Sequence, residues 1–83
     1  MMTTYQAIRL AMKAFRLAFY GKEEIRDIRE IVFMGGTGHD GEWSSAAFKI
    51  GYAINGDYTE SDKHPFIVRV FIDANGFPAV ERQ

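Results

Sequence analysis

The hydrophobic positions of the first twenty residues repeat with the period of a helix. This periodicity covers the segment "TTYQAIRLAMKAFRLAFYG", in which Thr3 or Thr4 can cap the amino end and Gly21 can end the helix. The pattern predicts a helix over about residues 4–20. Small side chains form a ridge along its apolar side: Ala7, Ala11, Ala14 and Ala18. Because the polar side is only a narrow stripe, we expect most of the helix circumference to be buried.

The rest of the chain alternates with the period of two that is typical of strands. A turn or short helical piece is predicted at 22–27 and a strand near 28–34. A second strand, in "WSSAAFKIGYAI", covers 43–54. Its predicted buried face carries Phe48, Ile50, Tyr52 and Ile54. A third strand, in "FIVRVFID", covers 66–73, and a short last strand follows in which Pro78 favours an edge position.

Short connections join these elements and indicate the fold class. Asn-Gly pairs at 55–56 and 75–76 are signals for hairpin turns. One helix followed by three to four strands predicts a single α+β domain over 1–83, with the helix packed on a curved antiparallel sheet. This order of elements is similar in outline to cystatin-like and PepSY-like domains. The resemblance is one of topology only, because the chain has no Gln-x-Val-x-Gly loop of the cystatin protease inhibitors, and their activity is not implied.

Four glycines lie close together in the segment "FMGGTGHDGEW". Three of them fit the dinucleotide-binding spacing G-x-G-x-x-G: Gly36, Gly38 and Gly41. Against nucleotide binding, Glu42 and Trp43 would repel and crowd a diphosphate. The segment "AFKIGYAI" also favours a strand where the pattern requires a helix. We therefore interpret 35–41 as a loop in an irregular hairpin and keep nucleotide binding there as an alternative.

Composition disfavours several classes of protein. The 83 residues include no cysteine, which excludes disulfides and cysteine nucleophiles and suggests a reducing, cytoplasmic compartment. The chain has only two histidines, His39 and His64, and no serine in a nucleophile elbow, so an enzyme is not expected. Neither histidine lies in an EF-hand or zinc spacing, and no cofactor or metal is predicted. Charges interrupt every apolar run, so neither a membrane span nor a secretory signal is expected.

Basic residues are concentrated at the amino end of the chain, where residues 1–22 include no acidic residue. Arg9, Lys13 and Arg16 repeat at i, i+4 and i+7, so they lie in one row along the helix. Such a row can lie along phosphates, which makes binding of DNA or RNA an alternative function. A solvated helix face is the simpler interpretation, because the net charge of the chain is −1.

The strand at 66–73 is apolar on both faces. One face carries Phe66, Val68, Val70 and Ile72, and the other carries Ile67, Arg69 and Phe71. In a sheet covered by one helix, the second face meets water and normally turns polar. The helix has a similar excess, since one sheet covers only about half of its circumference and leaves either Leu10 and Leu17 or the opposite flank partly exposed. We expect these apolar residues to contact a protein partner or a second copy of the chain.

These features predict a non-enzymatic protein-binding module, an inhibitor or adaptor of the kind that small phage and mobile-element genes often encode. The predicted partner contacts are the apolar residues Leu10, Leu17, Ile67 and Phe71, together with Arg69. Acidic loop residues would face a basic, nucleic-acid-handling partner: Asp57, Glu60 and Asp62. A homodimer through the helix or the outer face of the sheet is a further expectation.

Overall fold

The computed structural model describes residues 1–57 and 59–83, with the side chain of Glu60 outside the description. The elements in chain order are β1 (Met2–Thr3), α1 (Thr4–Ala18), β2 (Arg26–His39), β3 (Glu42–Ile54), a 3-10 turn (Glu60–Asp62), β4 (His64–Ile72) and β5 (Pro78–Arg82). The predicted α+β class is confirmed, with α1 on one face of an antiparallel sheet. The sheet has five strands, where three to four were predicted, because the two residues of β1 form an additional strand, and the arrangement is compatible with a cystatin-like outline.

The four main strands form an antiparallel meander in the order β2, β3, β4, β5. The short β1 pairs with the start of β3 through Met2 and Trp43, beyond the point where the pairing of β3 with β4 ends at Ser45. Among the described strands, β2 and β5 therefore lie at opposite edges of the sheet. Pro78 at the start of β5 agrees with the predicted edge position, because proline has no N–H to donate to a further strand.

The helix begins as its sequence predicts and ends two residues earlier. Thr3 accepts a hydrogen bond from the Gln6 backbone N–H at 3.1 Å, and the Gln6 side chain accepts one from the Thr3 backbone N–H at 2.8 Å, which completes a capping box. The chain then turns at Gly21, whose φ of +78° favours glycine. Ala7 and Ala11 of the alanine ridge are fully buried against the sheet. Their small side chains allow the helix backbone to approach the strands closely.

The core lies between α1 and the helix-side faces of β3 and β4. Its largest fully buried side chains are Phe48, Ile50, Phe66, Val68 and Val70. At the carboxyl end of the helix, the ring of Phe15 meets those of Phe19, Tyr52 and Phe66 edge-on, with centroids 5.2, 5.2 and 5.4 Å away. The alternation predicted for both strands is confirmed by this burial.

The predicted loop at 35–41 is wrong, because β2 continues through the glycines to His39. A two-residue turn, Asp40 and Gly41 with φ of 54° and 77°, joins it to β3. A Cβ on Gly36 would overlap the carbonyl oxygen of Ser45, and a Cβ on Gly38 would overlap that of Glu42. The glycines therefore permit close strand pairing. The prediction at 22–27 is also corrected, since β2 already begins at Arg26.

Three β-bulges modify the long hairpin of β2 and β3. The extra residues are Arg29 and Met34 in β2 and Ser44 in β3. The bulge at Ser44 places Trp43 on the helix side of the sheet, where its Nε1 donates a hydrogen bond to Thr4 Oγ1 at 2.9 Å. The start of the helix is thereby attached to the far end of the hairpin.

Candidate functional site

The row of basic residues lies on the exposed face of α1. Arg9, Lys13 and Arg16 are exposed, and within the described part of the chain none of them forms an ion pair with a carboxylate. Tyr5 and Tyr20 are exposed at its two ends, and the guanidinium of Arg9 lies 5.6 Å from the ring centroid of Tyr5. We name Arg9, Lys13 and Arg16 the basic stripe. It presents three cations between two aromatic rings.

An apolar surface lies beside the basic stripe, where α1 faces the edge strand β5. Leu17 is 64% exposed, and Leu10, two turns earlier on the same flank, is half-buried against the core. Val80 is 47% exposed and pairs with the buried Val70, so its side chain is on the helix side of the sheet. We name Leu10, Leu17 and Val80 the β5-side surface. Of the apolar residues predicted to bind a partner, Leu17 is the one that the structure leaves most exposed.

A groove of about 590 Å³ continues the β5-side surface toward the amino end of the helix. Its lining comes from the start of the chain, the first two turns of α1 and the turn between β4 and β5. Leu10 forms one wall with Tyr5, and Ile72 and Pro78 form the other. Arg9 is the one charged residue among the lining residues. The groove is mainly apolar and opens next to one end of the basic stripe.

The outer face of the sheet, opposite the helix, carries the other predicted partner contacts. Ile67, Arg69 and Phe71 are each half-buried. The Arg69 guanidinium lies 4.3 Å from the ring centroid of Phe71, its Nη2 lies 2.9 Å from Glu81 Oε2, and its Nη1 donates to Ser45 Oγ at 3.3 Å. Arg69 therefore covers part of the apolar surface that the sequence pattern indicated.

An ion pair that the sequence did not indicate also crosses the outer face. Lys63 Nζ lies 2.6 Å from Glu30 Oε1, and the two side chains meet over Gly51. A Cβ on Gly51 would lie 2.7 Å from Lys63 Cδ and 2.8 Å from Glu30 Cγ. Gly51 thus leaves space for the ion pair of Glu30 and Lys63, which links β2 to the segment before β4. Glu30 and Lys63 are 33 residues apart along the chain, and Gly51 lies 21 residues from Glu30 and 12 from Lys63, so no local spacing signals the pair.

The acidic residues of the second predicted surface lie in one connection between β3 and β4. Asp57 is exposed and closes the turn after β3 by pairing with Ile54. Asp62 is exposed and accepts a hydrogen bond from Thr59 Oγ1 at 2.7 Å. The side chain of Glu60, the third acidic residue predicted here, lies outside the described residues. The connection places Asp57 and Asp62 at the end of the sheet where α1 ends.

The predicted partner-binding residues therefore do not form one surface. Leu10 and Leu17 lie on the helix side of the sheet, whereas Ile67, Arg69 and Phe71 lie on the outer face. A strand alternates between faces, so the apolar residues of one strand pattern divide between the core and the opposite side. A single flat contact cannot cover both groups.

The glycine-rich segment has no strand–turn–helix geometry, since β3 begins directly after the turn at Gly41. The glycines instead continue an edge strand, β2, whose apolar residues just before them are exposed: Val32, Phe33 and Met34. The sequence predicts a strand near 28–34 but does not show that this strand lies at an edge of the sheet, and it predicts a loop at 35–41 where β2 continues. The Asp40-Gly41 pair was the available signal, because Asp-Gly is a preferred sequence for a two-residue hairpin turn.

The described residues contain no group of three or more His, Asp or Glu side chains placed to hold a metal ion. Among the helices of the described residues, none is both long enough and apolar enough to cross a bilayer. Comparison with known proteins gives no relative, since no protein-family model, no curated protein and no solved structure matches the chain.

Proposed function

We propose that this chain is a non-enzymatic, cytoplasmic protein-binding module, an inhibitor or adaptor of the kind encoded by small phage and mobile-element genes, that contacts its partner through the β5-side surface. The observation that carries the proposal is the exposure of Leu17 and Val80 beside the half-buried Leu10. Aliphatic side chains that share one exposed flank stand in water unless a second surface covers them. Burial of one such side chain stabilises a complex by about 1.5–3 kcal/mol.

The helix that carries Leu10 and Leu17 of the β5-side surface is packed on the core, so binding of a partner requires little change in the backbone. Leu10 and Leu17 project from the flank of a helix whose sheet-facing side is fixed by the buried Ala11 and Phe15. A side chain on a packed helix loses little backbone entropy when it binds, so more of the contact energy appears as affinity. Arg16 and Lys13 lie exposed on the adjoining face and provide a polar rim of the kind that surrounds apolar contacts in protein interfaces.

The acidic connection between β3 and β4 suggests the charge of the partner. Asp57 and Asp62 are both exposed, so their charges are available to a basic surface such as that of a nucleic-acid-handling protein. We expect reversal of Asp57, Glu60 and Asp62 to Lys to reduce the association rate and to abolish capture of a basic partner at physiological salt. Capture that is unchanged by this triple reversal would remove the acidic loop from the proposal.

The test of the apolar surface compares two equally exposed aliphatic residues. Tagged wild-type chain, Leu17→Lys and Ile25→Lys are used to capture proteins from a lysate of the source organism, and retained proteins are identified by mass spectrometry. Ile25 is 68% exposed, like Leu17 at 64%, but precedes β2 and lies outside the β5-side surface. A partner retained by the wild type and by Ile25→Lys but lost with Leu17→Lys supports the proposal. A partner that is retained by both variants contradicts it.

Binding of nucleic acid is the second candidate, and the basic stripe is the observation that favours it. Arg9 and Arg16 are about 10 Å apart along the helix axis at 1.5 Å per residue, a length that spans about three phosphates of one strand. No carboxylate of the described residues neutralises these cations. Tyr5 and Tyr20 are exposed beside them and can stack on bases.

Fluorescence anisotropy with labelled DNA and RNA at several salt concentrations tests this candidate. Three phosphate contacts predict a slope of log K against log salt of about −2 to −3. Lys13→Glu should weaken binding much more than Lys22→Glu, which makes the same charge change at an exposed position beyond the helix. Loss of affinity in the Arg9→Glu, Arg16→Glu double variant would agree. Equal effects at Lys13 and Lys22 would indicate a general charge effect and oppose a binding site on the stripe.

A further inference from the structure

The two edges of the sheet differ in a way that points to a specific association. β5 is protected in the usual manner, since it has only five residues, begins with Pro78 and carries Glu81 and Arg82. β2 has 14 residues and no proline, and within the described part of the chain it pairs with β3 alone. Its other edge presents backbone N–H and C=O groups that a further strand can pair with.

The middle of β2 is apolar, and its edge away from β3 pairs with no strand of the described residues. The segment 31–38 contains no charged residue. Val32 is 40% exposed on the outer face, and Phe33 is exposed on the helix side because α1 lies mainly over β3 and β4. Phe33 also touches the rings of Trp43 and Phe48, with centroids 5.0 and 5.7 Å away, and so forms the open end of the core. A strand added to this edge would cover apolar side chains on both faces of the sheet.

We propose that two copies of the chain associate through their β2 edges, antiparallel about a two-fold axis at Val32, to form one continuous sheet. This arrangement places Val32 opposite Val32 of the second copy, and Ile31 opposite Phe33, so that apolar residues meet on the same face. Ile31 and Phe33 both lie on the helix side of the sheet, so their pairing requires the helices of the two copies to lie on the same side. A two-fold axis perpendicular to the sheet gives this arrangement.

The two halves of β2 complement each other under this symmetry. The first half carries the large charged side chains of Arg26, Asp27 and Arg29, and the second half carries Gly35, Gly36, Thr37 and Gly38. Antiparallel pairing sets the charged half of one copy beside the glycine-rich half of the other. No two like charges then lie directly opposite, and the glycines leave space for the longer side chains. Because the two halves of β2 are complementary in the number of charged side chains and in side-chain size, the strand can pair with a second copy of itself.

The bulges limit how strong the association can be. Arg29 and Met34 interrupt the regular pairing of β2, so the unbroken stretch around Val32 is Glu30–Phe33. A contact of this size belongs to the weak class of interfaces. We therefore expect a monomer–dimer equilibrium with a dissociation constant of about micromolar or above. This association uses a surface separate from the β5-side surface, and it stands or falls independently of the proposed function.

Sedimentation velocity of the untagged chain over a wide concentration range tests the proposal, because a 9.5 kDa monomer that pairs doubles in mass. Val32→Lys places two ammonium groups opposite each other and should weaken the dimer by about tenfold or more. Val80→Lys makes the same change at a comparably exposed valine on the other edge strand and should leave the dimer intact. Circular dichroism verifies that both variants remain folded.

A mixing experiment separates pairing from local damage. Val32→Lys and Val32→Glu should each be mainly monomeric alone, and an equimolar mixture should restore the dimer because opposite charges then meet at the two-fold axis. Since the chain has no cysteine, Val32→Cys offers a covalent test. Directly opposite residues of an antiparallel pair have Cα atoms about 4.5–5.5 Å apart, within the range of a disulfide. Mild oxidation should therefore cross-link Val32→Cys, and Val80→Cys should stay monomeric.

Two results would overturn the pairing of β2 edges. The first is a wild-type chain that remains monomeric up to about millimolar concentration, where even weak complexes form. The β2 edge would then not bind a second copy of the chain, and any strand that it binds would come from a different protein. A dimer that Val80→Lys dissociates and Val32→Lys does not would place the association on the β5 side of the molecule.

Discussion

The packing of α1 on the sheet can be tested by removing one aromatic ring. Phe15 is 3% exposed and lies at the centre of the aromatic group at the carboxyl end of the helix. Phe15→Ala deletes the ring and leaves the backbone free to remain helical. Because Ala has the best helix propensity, local helix stability rises by about 0.5 kcal/mol, so any net loss of stability reports tertiary packing.

The expected loss follows from burial and contacts. Truncation of a buried Phe to Ala costs about 3–5 kcal/mol through lost transfer energy and the cavity that remains. The three edge-on ring contacts at 5.2–5.4 Å place Phe15 in the upper part of that range. After subtraction of the gain of about 0.5 kcal/mol in helix propensity, about 3.5–4.5 kcal/mol remains. A domain of 83 residues has a total stability of about 4–12 kcal/mol, so the variant loses a large part of it.

Urea unfolding followed by circular dichroism measures this loss as a shift of the midpoint. Tyr20→Ala is the matched control, because Tyr20 is an aromatic residue just beyond the same helix that is 85% exposed. Its substitution should change the free energy of unfolding by less than about 0.5 kcal/mol. The dependence of the free energy on urea should be similar for the wild type and both variants if the unfolded state is unchanged.

A small effect at Phe15 would refute the described packing. If Phe15→Ala loses less than about 1 kcal/mol with an unchanged urea dependence, the ring is not enclosed by Phe19, Tyr52 and Phe66. If Tyr20→Ala is the more destabilising of the two, the helix buries a different face from the one described.

Three further substitutions test the ends of the helix and the hairpin. Thr3→Ala removes the side-chain acceptor of the capping box and should cost about 0.5–2 kcal/mol in urea unfolding, and an unchanged midpoint would argue against the cap. Thr4→Val removes the acceptor of the Trp43 indole N–H and should cost about 0.5–1.5 kcal/mol. Trp43 is the one tryptophan of the chain, so its emission maximum should shift as well, and an unshifted maximum would contradict the contact. Gly38→Ala forces a Cβ against the carbonyl oxygen of Glu42 and should lower the melting temperature by an amount equivalent to about 1–3 kcal/mol, whereas a neutral result would mean that the strands do not approach this closely.

The helix and the two central strands were predictable because local patterns repeat over many residues. The alanine ridge at Ala7 and Ala11 and the alternation around Phe48 each match one period consistently, and burial follows that period. The Asn55-Gly56 turn was also predictable, since both residues adopt positive φ, as such pairs do in hairpins. The end of β2 was not predictable from a repeating pattern, and the Asp40-Gly41 pair was its one local signal. Glycine is a poor strand former, and its place in β2 depends on the backbone of β3 lying close to it.

The sequence identified the residues of the candidate surfaces, but it did not show where on the fold these residues lie relative to one another. The basic stripe follows directly from helical spacing, because Arg9, Lys13 and Arg16 share a face whatever the helix packs against. The apolar excess at Leu17 and at Phe71 was also evident in the pattern. Their separation onto two sides of the sheet, and the cover that Arg69 gives to Phe71, depend on contacts between distant parts of the chain.

Local chemistry thus dictates the helix, its cap, the strands of the core and the cationic face of α1, because each depends on residues within a few positions of one another. Tertiary packing decides which side chains remain in water. The burial of Phe15 and the exposure of Leu17 follow from how far one helix extends across the sheet, and the open edge at Val32 follows from strand order, since no strand of the described residues lies beyond β2. A single helix about 10 Å wide cannot cover a sheet whose strands lie about 4.8 Å apart, so the outermost strands and one helix flank stay exposed.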